Sequence, residues 1–390
     1  MKYDFDKIIN RRGTDAFKWD IGENELPMWV ADMDFETAPE IIAAMQKRLD
    51  HGIFGYTDIS DRWRDAYANW WDTRHGLGMN KQRLMFCTGV IPAISSIVRK
   101  LTTPNENVVI QTPVYHVFYN SICNNGCRVL ESPLQYQNGV YSMDLADLEK
   151  CFSKPQTTLM ILCNPHNPVG KIWERSDLAA IGELAKKHHV TVIADEIHCD
   201  LTEPGYDYIP FASVSPVCEE VSITCIAPTK TFNLAGLKTA AIYVPDRFLY
   251  HKVWRAINTD EVAEPNVFAH TAAIAAFEEG GPWLDQLREY LSQNRKLVEE
   301  TVDRNIPDVH VVRSKATYLL WIDLSVLKGK GKKVTDHIRK RTGLFLSDGI
   351  SFGPNGEDFA RMNIACPRVL IEDGLKRLEE GIASYRAEFL

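Results

Sequence analysis

The chain has 390 residues, 45% of them hydrophobic and 25% charged, with 44 lysines and arginines against 52 aspartates and glutamates for a net charge of −8. This composition excludes disorder, collagen and coiled coil, and without a block of like charge to track a phosphate backbone the chain is not expected to bind nucleic acid. No apolar stretch approaches the roughly 20 residues that span a bilayer, the opening MKYDFDKIINRRGTDAFKWD has no apolar core of signal-peptide type, and nine cysteines without a CxxC pair point to reduced thiols rather than a disulfide framework or a zinc site, so a cytoplasmic chain is expected.

In chain order, the first 45 residues carry few strand signals and are expected to pack with the C-terminal part. Thr88-Gly89-Val90-Ile91-Pro92 then leads into Ile94, Ile97, Val98 and Leu101 at helical spacing. Glycine permits close backbone approach, and free amides at a helix start suit a phosphate, although a plain turn into a helix has the same residues. From about residue 85 to 245 come the apolar runs NVVIQ (107–111), CRVLES (127–132), TTLMILC (157–163), VTVIAD (190–195), SITCIA (222–227) and TAAIYV (239–244). Helical periods such as Leu178, Ile181, Leu184 and Ala185 separate them, which predicts an α/β arrangement: a mostly parallel sheet of buried strands with helices on both faces.

Three strand ends carry chemistry. After 157–163, Asn164-Pro165-His166-Asn167-Pro168-Val169-Gly170 forces a turn where ligands of open α/β sheets sit. After 190–195, Asp195 puts a carboxylate at the end of a buried run, which demands a cationic partner or a raised pKa, unless it serves only as a helix cap. After 222–227, Lys230 in Pro228-Thr229-Lys230-Thr231-Phe232 has small, hydroxylated and aromatic neighbours that suit an amine nucleophile or a snorkelling lysine. Further on, Trp283, Leu284, Leu287, Tyr290, Leu291, Leu297, Val298 and Val302 predict a long helix across 283–305 at a domain junction. The remainder reads as α+β, with strands at TYLLWIDL (317–324) and ARMNIAC (360–366) and a terminal helix from Leu370 to Glu388.

Taken together, the turn at Gly89 followed by Asn167, Asp195 and Lys230 in that order resembles the fold-type I pyridoxal-phosphate enzymes, the aspartate aminotransferase superfamily, over essentially the whole chain. Met28-Trp29-Val30-Ala31-Asp32-Met33-Asp34-Phe35, Arg12-Gly13-Thr14 with Lys18-Trp19, Thr88 to Ala93, and His198 in place of the usual tyrosine are similar to its cystathionine β-lyase (C–S lyase, MalY/PatB-like) branch. The resemblance implies a large domain, residues 46–284, with a mostly parallel seven-stranded sheet, and a smaller discontinuous α+β domain from 1–45 and 285–390. It implies pyridoxal 5′-phosphate as cofactor and a homodimer with shared active sites.

Residue roles follow from the same resemblance. Lys230 is implied as the lysine that joins the cofactor aldehyde and then removes the Cα proton; Asp195 pairs with the pyridine nitrogen; Asn167 and His198 hydrogen-bond the ring hydroxyl oxygen; Tyr115 stacks on the ring and assists at the leaving group. Gly89, Val90, Ile91, Thr229 and Lys238 hold the phosphate, with Tyr56 arriving from the neighbouring subunit. Arg361 binds the substrate α-carboxylate, with Ala31, Asn167 and Tyr56 beside it. Ala227 stands where many relatives have serine, and Lys238 where many have arginine. The activity implied is β-elimination from an L-cysteine S-conjugate; the alternatives are an aminotransferase and a cofactor-binding regulator with weak lyase activity.

Overall fold

A computed structural model describes residues 3–390. Its centre is a seven-stranded sheet in the order Leu84–Cys87, Ala240–Tyr243, Ser222–Ile226, Thr191–Asp195, Thr157–Cys163, Asn107–Ile110 and Arg128–Glu131. All neighbours run parallel except Ala240–Tyr243, which is antiparallel to both of its partners. The apolar runs form strands because both faces are covered, and successive side chains alternate between the two layers. Ile193 packs with Ile94 and Ile97 on one side, whereas Val192 and Ala194 join Leu178 and Ile181 on the other. The six expected runs are all strands, and the seventh strand, Leu84–Cys87, went unrecognised in the sequence because four residues leading straight into Thr88-Gly89 look like the approach to a turn.

The helix Arg175–His188 shows how local chemistry sets the flanking elements. Leu178, Ile181 and Ala185 form its buried face, Lys186, Lys187 and His188 lie in its last turn where the helix dipole favours cations, and His189 closes it at φ 58°. The expected long helix spans Gly281–Asn305, 25 residues or about 37 Å at 1.5 Å per residue. Along it Arg288 holds the Thr202 carbonyl at 2.9 Å, and Arg295 donates to Glu203 at 2.5 Å and to the Thr317 carbonyl at 2.7 Å. One helix thus ties the loop beyond the large sheet to the second sheet.

That second sheet is antiparallel, in the order His310–Val311, Leu319–Asp323, Phe359–Asn363 and Ser347–Asp348. The strand expected from residue 317 begins at Leu319, because Thr317 adopts φ 67°, outside the extended region. The strand expected from 360 occupies Phe359–Asn363, and the terminal helix runs over Arg368–Phe389. Near the N-terminus Leu26–Pro27 pairs in parallel with Leu344–Phe345, and the Met28 carbonyl accepts from the Asn363 amide at 2.8 Å. Residue 45 falls within the helix Pro39–His51, which packs against Val267–Glu279.

The turn at 164–170 docks the two sheets together. Peptides Asn164-Pro165 and Asn167-Pro168 are cis, as is Thr112-Pro113. The Gly170 carbonyl accepts from the amides of Lys315 and Ala316 at 2.9 and 3.0 Å. Only glycine suits this place: its φ is +64°, and a Cβ would lie 2.5 Å from Ser314 Cβ and 2.8 Å from the Ala316 carbonyl oxygen. The nine cysteines are free, and all but Cys123 are buried. Among the described residues no helix is long and apolar enough to cross a membrane.

Candidate active site

Register brings Cys163, Asp195 and Cys225 side by side at the carboxyl ends of three adjacent parallel strands. Above them opens a cavity of about 210 Å³. Eleven of the residues expected from the sequence line it: Ala31, Gly89, Val90, Ile91, Tyr115, Asn167, Asp195, His198, Thr229, Lys230 and Lys238. Thr88, Pro92, Cys163, Ile197, Ala235 and Thr239 line it as well. These six carried no chemical signature of their own; nearness in the chain to Gly89, Asn167, Asp195 or Lys238 was the only cue.

Lys230 sits on the single helical turn Pro228–Thr231, started by proline directly after the buried strand Ser222–Ile226. Its Nζ donates to the Ala31 carbonyl at 2.5 Å, and the Tyr318 hydroxyl donates to the same oxygen at 3.0 Å. Burial pushes the Lys230 ammonium down to about 8; Asp32 and Asp195 favour its charge, while Arg361 and Lys238 oppose it. The influence of Asp32 had no sequence signal, because it comes from the N-terminal segment folding across the strand ends.

Among the described residues the Asp195 carboxylate accepts one hydrogen bond, from the Ile197 amide at 3.2 Å. Burial pushes it up to about 7, against the Ile197 amide and the Lys230 charge, which both lower it. A buried carboxylate so sparsely paired calls for a protonated nitrogen. Burial, reinforced by Lys230 and Arg361, presses His198 down to about 3, so its imidazole is neutral, and its Nδ1 has no hydrogen-bond partner among the described residues. The adjacent Glu196 turns away from the cavity. It accepts from Asn164 Nδ2 at 3.1 Å, the Phe211 amide at 2.8 Å and the Tyr208 hydroxyl at 2.7 Å.

Arg361 lies against the cavity rather than in its lining. It is buried, donates from Nη1 to Asn167 Oδ1 at 3.1 Å and from Nη2 to the Trp29 carbonyl at 2.9 Å, and its Cζ lies 4.6 Å from the Phe352 ring centroid. Its Nε has no hydrogen-bond partner among the described residues, and burial lowers its pKa to about 10, with Tyr115 and Tyr318 opposing the shift. Tyr56 is apart from all of these, fully exposed in a separate surface hollow with Ile59, Ala263 and Glu264.

The residues fit pyridoxal phosphate at three points. The amides at the start of Val90–Leu101, with Thr229 and Lys238, form an anion-binding end. The buried Asp195 carboxylate suits a pyridinium proton, and the Lys230 amine suits an aldehyde carbon. The unpartnered His198 Nδ1 and Arg361 Nε leave polar capacity at the same place.

Comparison with known proteins agrees with this geometry. "Cystathionine beta-lyase PatB" of Bacillus subtilis is 42% identical over 97% of this chain and 100% of its own length, and "Protein MalY" of Escherichia coli is 33% identical over 98% and 100%. Among solved structures, cystalysin from Treponema denticola, which contains pyridoxal 5′-phosphate, superposes with a TM-score of 0.95 at 30% identity, covering 98% of this chain and 100% of that one. The C–S lyase from Staphylococcus hominis, bound to pyridoxal phosphate, has a TM-score of 0.92 at 31% identity over 98% of each chain. Residues 23–378 match the family described as aminotransferase class I and II. Because that match runs through both sheets and every residue of the cavity, the chain belongs to the class I and II aminotransferase family.

Proposed function

We propose that this chain is a pyridoxal-phosphate-dependent carbon–sulfur β-lyase that cleaves L-cystathionine or a related L-cysteine S-conjugate by α,β-elimination. The net reaction consumes one water and gives the thiol, pyruvate and ammonium. The observation that carries the reading is the pairing of a lysine amine held near neutrality with a buried carboxylate in one cavity, beside a buried arginine. Relatives named for this chemistry match along essentially their full length.

In this reading Asp195, Asn167, His198, Tyr115, Gly89, Val90, Ile91, Thr229, Lys230 and Lys238 hold the cofactor. When bound, the cofactor supplies an electron sink for the pair left at Cα. Lys230 Nζ, whose pKa of about 8 leaves a share of neutral amine at physiological pH, takes the Cα proton. Arg361 takes the α-carboxylate as a bidentate fork, with Asn167 orienting it from Oδ1 and with Ala31 and Tyr56 beside the substrate. Tyr115, raised in pKa chiefly by burial, keeps its hydroxyl proton and offers it toward the leaving sulfur. A thiolate leaves readily, so elimination asks for little more.

The test is direct. Purified holoprotein given L-cystathionine with no 2-oxo acid is expected to release pyruvate and a thiol. Product that forms only when a 2-oxo acid is supplied would make the chain an aminotransferase and end the lyase reading.

The proposal includes a homodimer. Ile53 and Phe54 are 65% and 54% exposed beside the fully exposed Tyr56, an apolar segment that a second copy would cover while receiving Tyr56 at its own cofactor phosphate. Light scattering at micromolar concentration is expected to give twice the chain mass, and a monomer there would remove Tyr56 from the site. It includes the division into a larger body, 46–284, and a smaller one from 1–45 and 285–390, supported by the pairing of Leu26–Pro27 with Leu344–Phe345. A cytoplasmic location suits nine free thiols, and recovery of the native protein outside the cytosolic fraction would remove that part.

A further inference from the structure

The segment from Asp195 to Asp200 sends its side chains two ways: Asp195, Ile197 and His198 line the cavity, while Glu196 and Asp200 are buried in the protein outside that lining. Asp200, like Glu196, accepts three hydrogen bonds through both of its oxygens. Its Oδ1 accepts from the Trp70 indole and the His75 imidazole, each at 2.9 Å and both on the helix Asp61–His75. Its Oδ2 accepts from the Thr231 hydroxyl at 2.9 Å. Thr231 is buried and directly follows Lys230 on the same one-turn helix. Although burial works to raise Asp200, the hydrogen bonds and charge of His75, with Trp70 and Thr231, hold it below the ordinary carboxylate range. The His75 ring also meets Tyr208 edge-on at 4.9 Å, and Tyr208 in turn anchors Glu196.

His75, Cys199 and Asp200 bring three ligand atoms within 4.8 Å of one another, but both Asp200 oxygens are already taken by protein donors from two other elements, so the cluster is a hydrogen-bonded joint and not a metal site. We infer that Asp200 is a positioning residue: through Thr231 it ties the turn bearing Lys230 to the segment bearing Asp195 and His198, and so sets the lysine amine against the carboxylate that meets the ring nitrogen. The inference rests on the cofactor reading proposed above. Among the described residues the Lys230 amine donates to the Ala31 carbonyl alone; the turn that bears it is closed by the Phe232 and Leu234 amides on the Pro228 and Thr229 carbonyls, each at 2.9 Å, and the Thr231–Asp200 bond is the side-chain tie that joins this turn to the segment 195–200.

The experiment compares Thr231→Val, which keeps the shape and removes the donor, with Thr231→Ser, which restores it, and with Asp200→Asn. Apoprotein is titrated with pyridoxal phosphate, and kcat and KM for L-cystathionine are measured on the loaded protein. Thr231→Val and Asp200→Asn are expected to weaken cofactor binding and to lower kcat about 10–100-fold, the scale on which small misplacements act. KM is expected to stay within about threefold, because Arg361 and Asn167 are untouched, and Thr231→Ser is expected to recover both quantities. If Thr231→Val lowers the melting temperature while its cofactor affinity and kcat stay at wild-type values, the bond is structural only and the inference is overturned. Should Asp200→Asn fail to fold, the Val and Ser pair decides. Wild-type protein that takes up pyridoxal phosphate but releases no pyruvate ends the lyase reading, and the comparison of cofactor affinities still decides the role of Asp200.

Discussion

Replacing Lys230 by alanine is expected to lower pyruvate release by at least about 10³-fold, or about 4 kcal/mol of transition-state stabilisation, because one side chain both anchors the cofactor and moves the Cα proton. The wild-type chain should keep the cofactor's mass after borohydride treatment and denaturation, and the variant should lose it. Folding is not the cause of the loss. The folded-state pKa of Lys230, about 8, lies below its ordinary 10.5, so between those values the unfolded chain binds more protons and stability rises with pH. Below pH 8 the buried amine carries its full cost, and removing it should leave the melting temperature of the cofactor-free protein at neutral pH unchanged or higher. A variant that retains covalent cofactor, or that melts far below wild type, contradicts this assignment.

Asp195→Ala is expected to have the second largest effect, a fall in kcat of about 10²–10³-fold, the scale found when one preorganised electrostatic partner is removed. Asp195 is buried and lightly hydrogen-bonded, so its charge is available to a protonated ring nitrogen rather than spent on the protein. Cofactor affinity should fall less than kcat, since the amides at the start of Val90–Leu101 remain. The measurement is kcat at saturating pyridoxal phosphate beside a cofactor titration. Turnover within about tenfold of wild type would show that the nitrogen needs no carboxylate.

Much of the frame was legible in the chain. TTLMILC and SITCIA are unbroken apolar runs of strand length, and the residues that follow them, Asn167 and Lys230, end at the cavity because parallel strands deliver their carboxyl ends to one edge. Leu178, Ile181 and Ala185 show their helix by spacing alone. The antiparallel direction of Ala240–Tyr243 was not legible, since an apolar run has the same composition in either direction. Nor was the joint at Asp200: an acidic residue five places after Asp195 reads as surface until Trp70, His75 and Thr231 are seen to converge on it.

The sequence by itself determined the parallel core and the order of its chemical segments, and it set Lys230 and Asp195 at strand ends, because hydrophobic pattern and strand ends are properties of short stretches. Only the tertiary structure decided which distant groups meet. Lys230 finds its carbonyl partner at Ala31, 199 residues away, and Arg361 finds Asn167, 194 residues away. Such pairings follow from closure of the whole fold, in which each buried polar group must be satisfied by whatever donor or acceptor long-range packing brings to it.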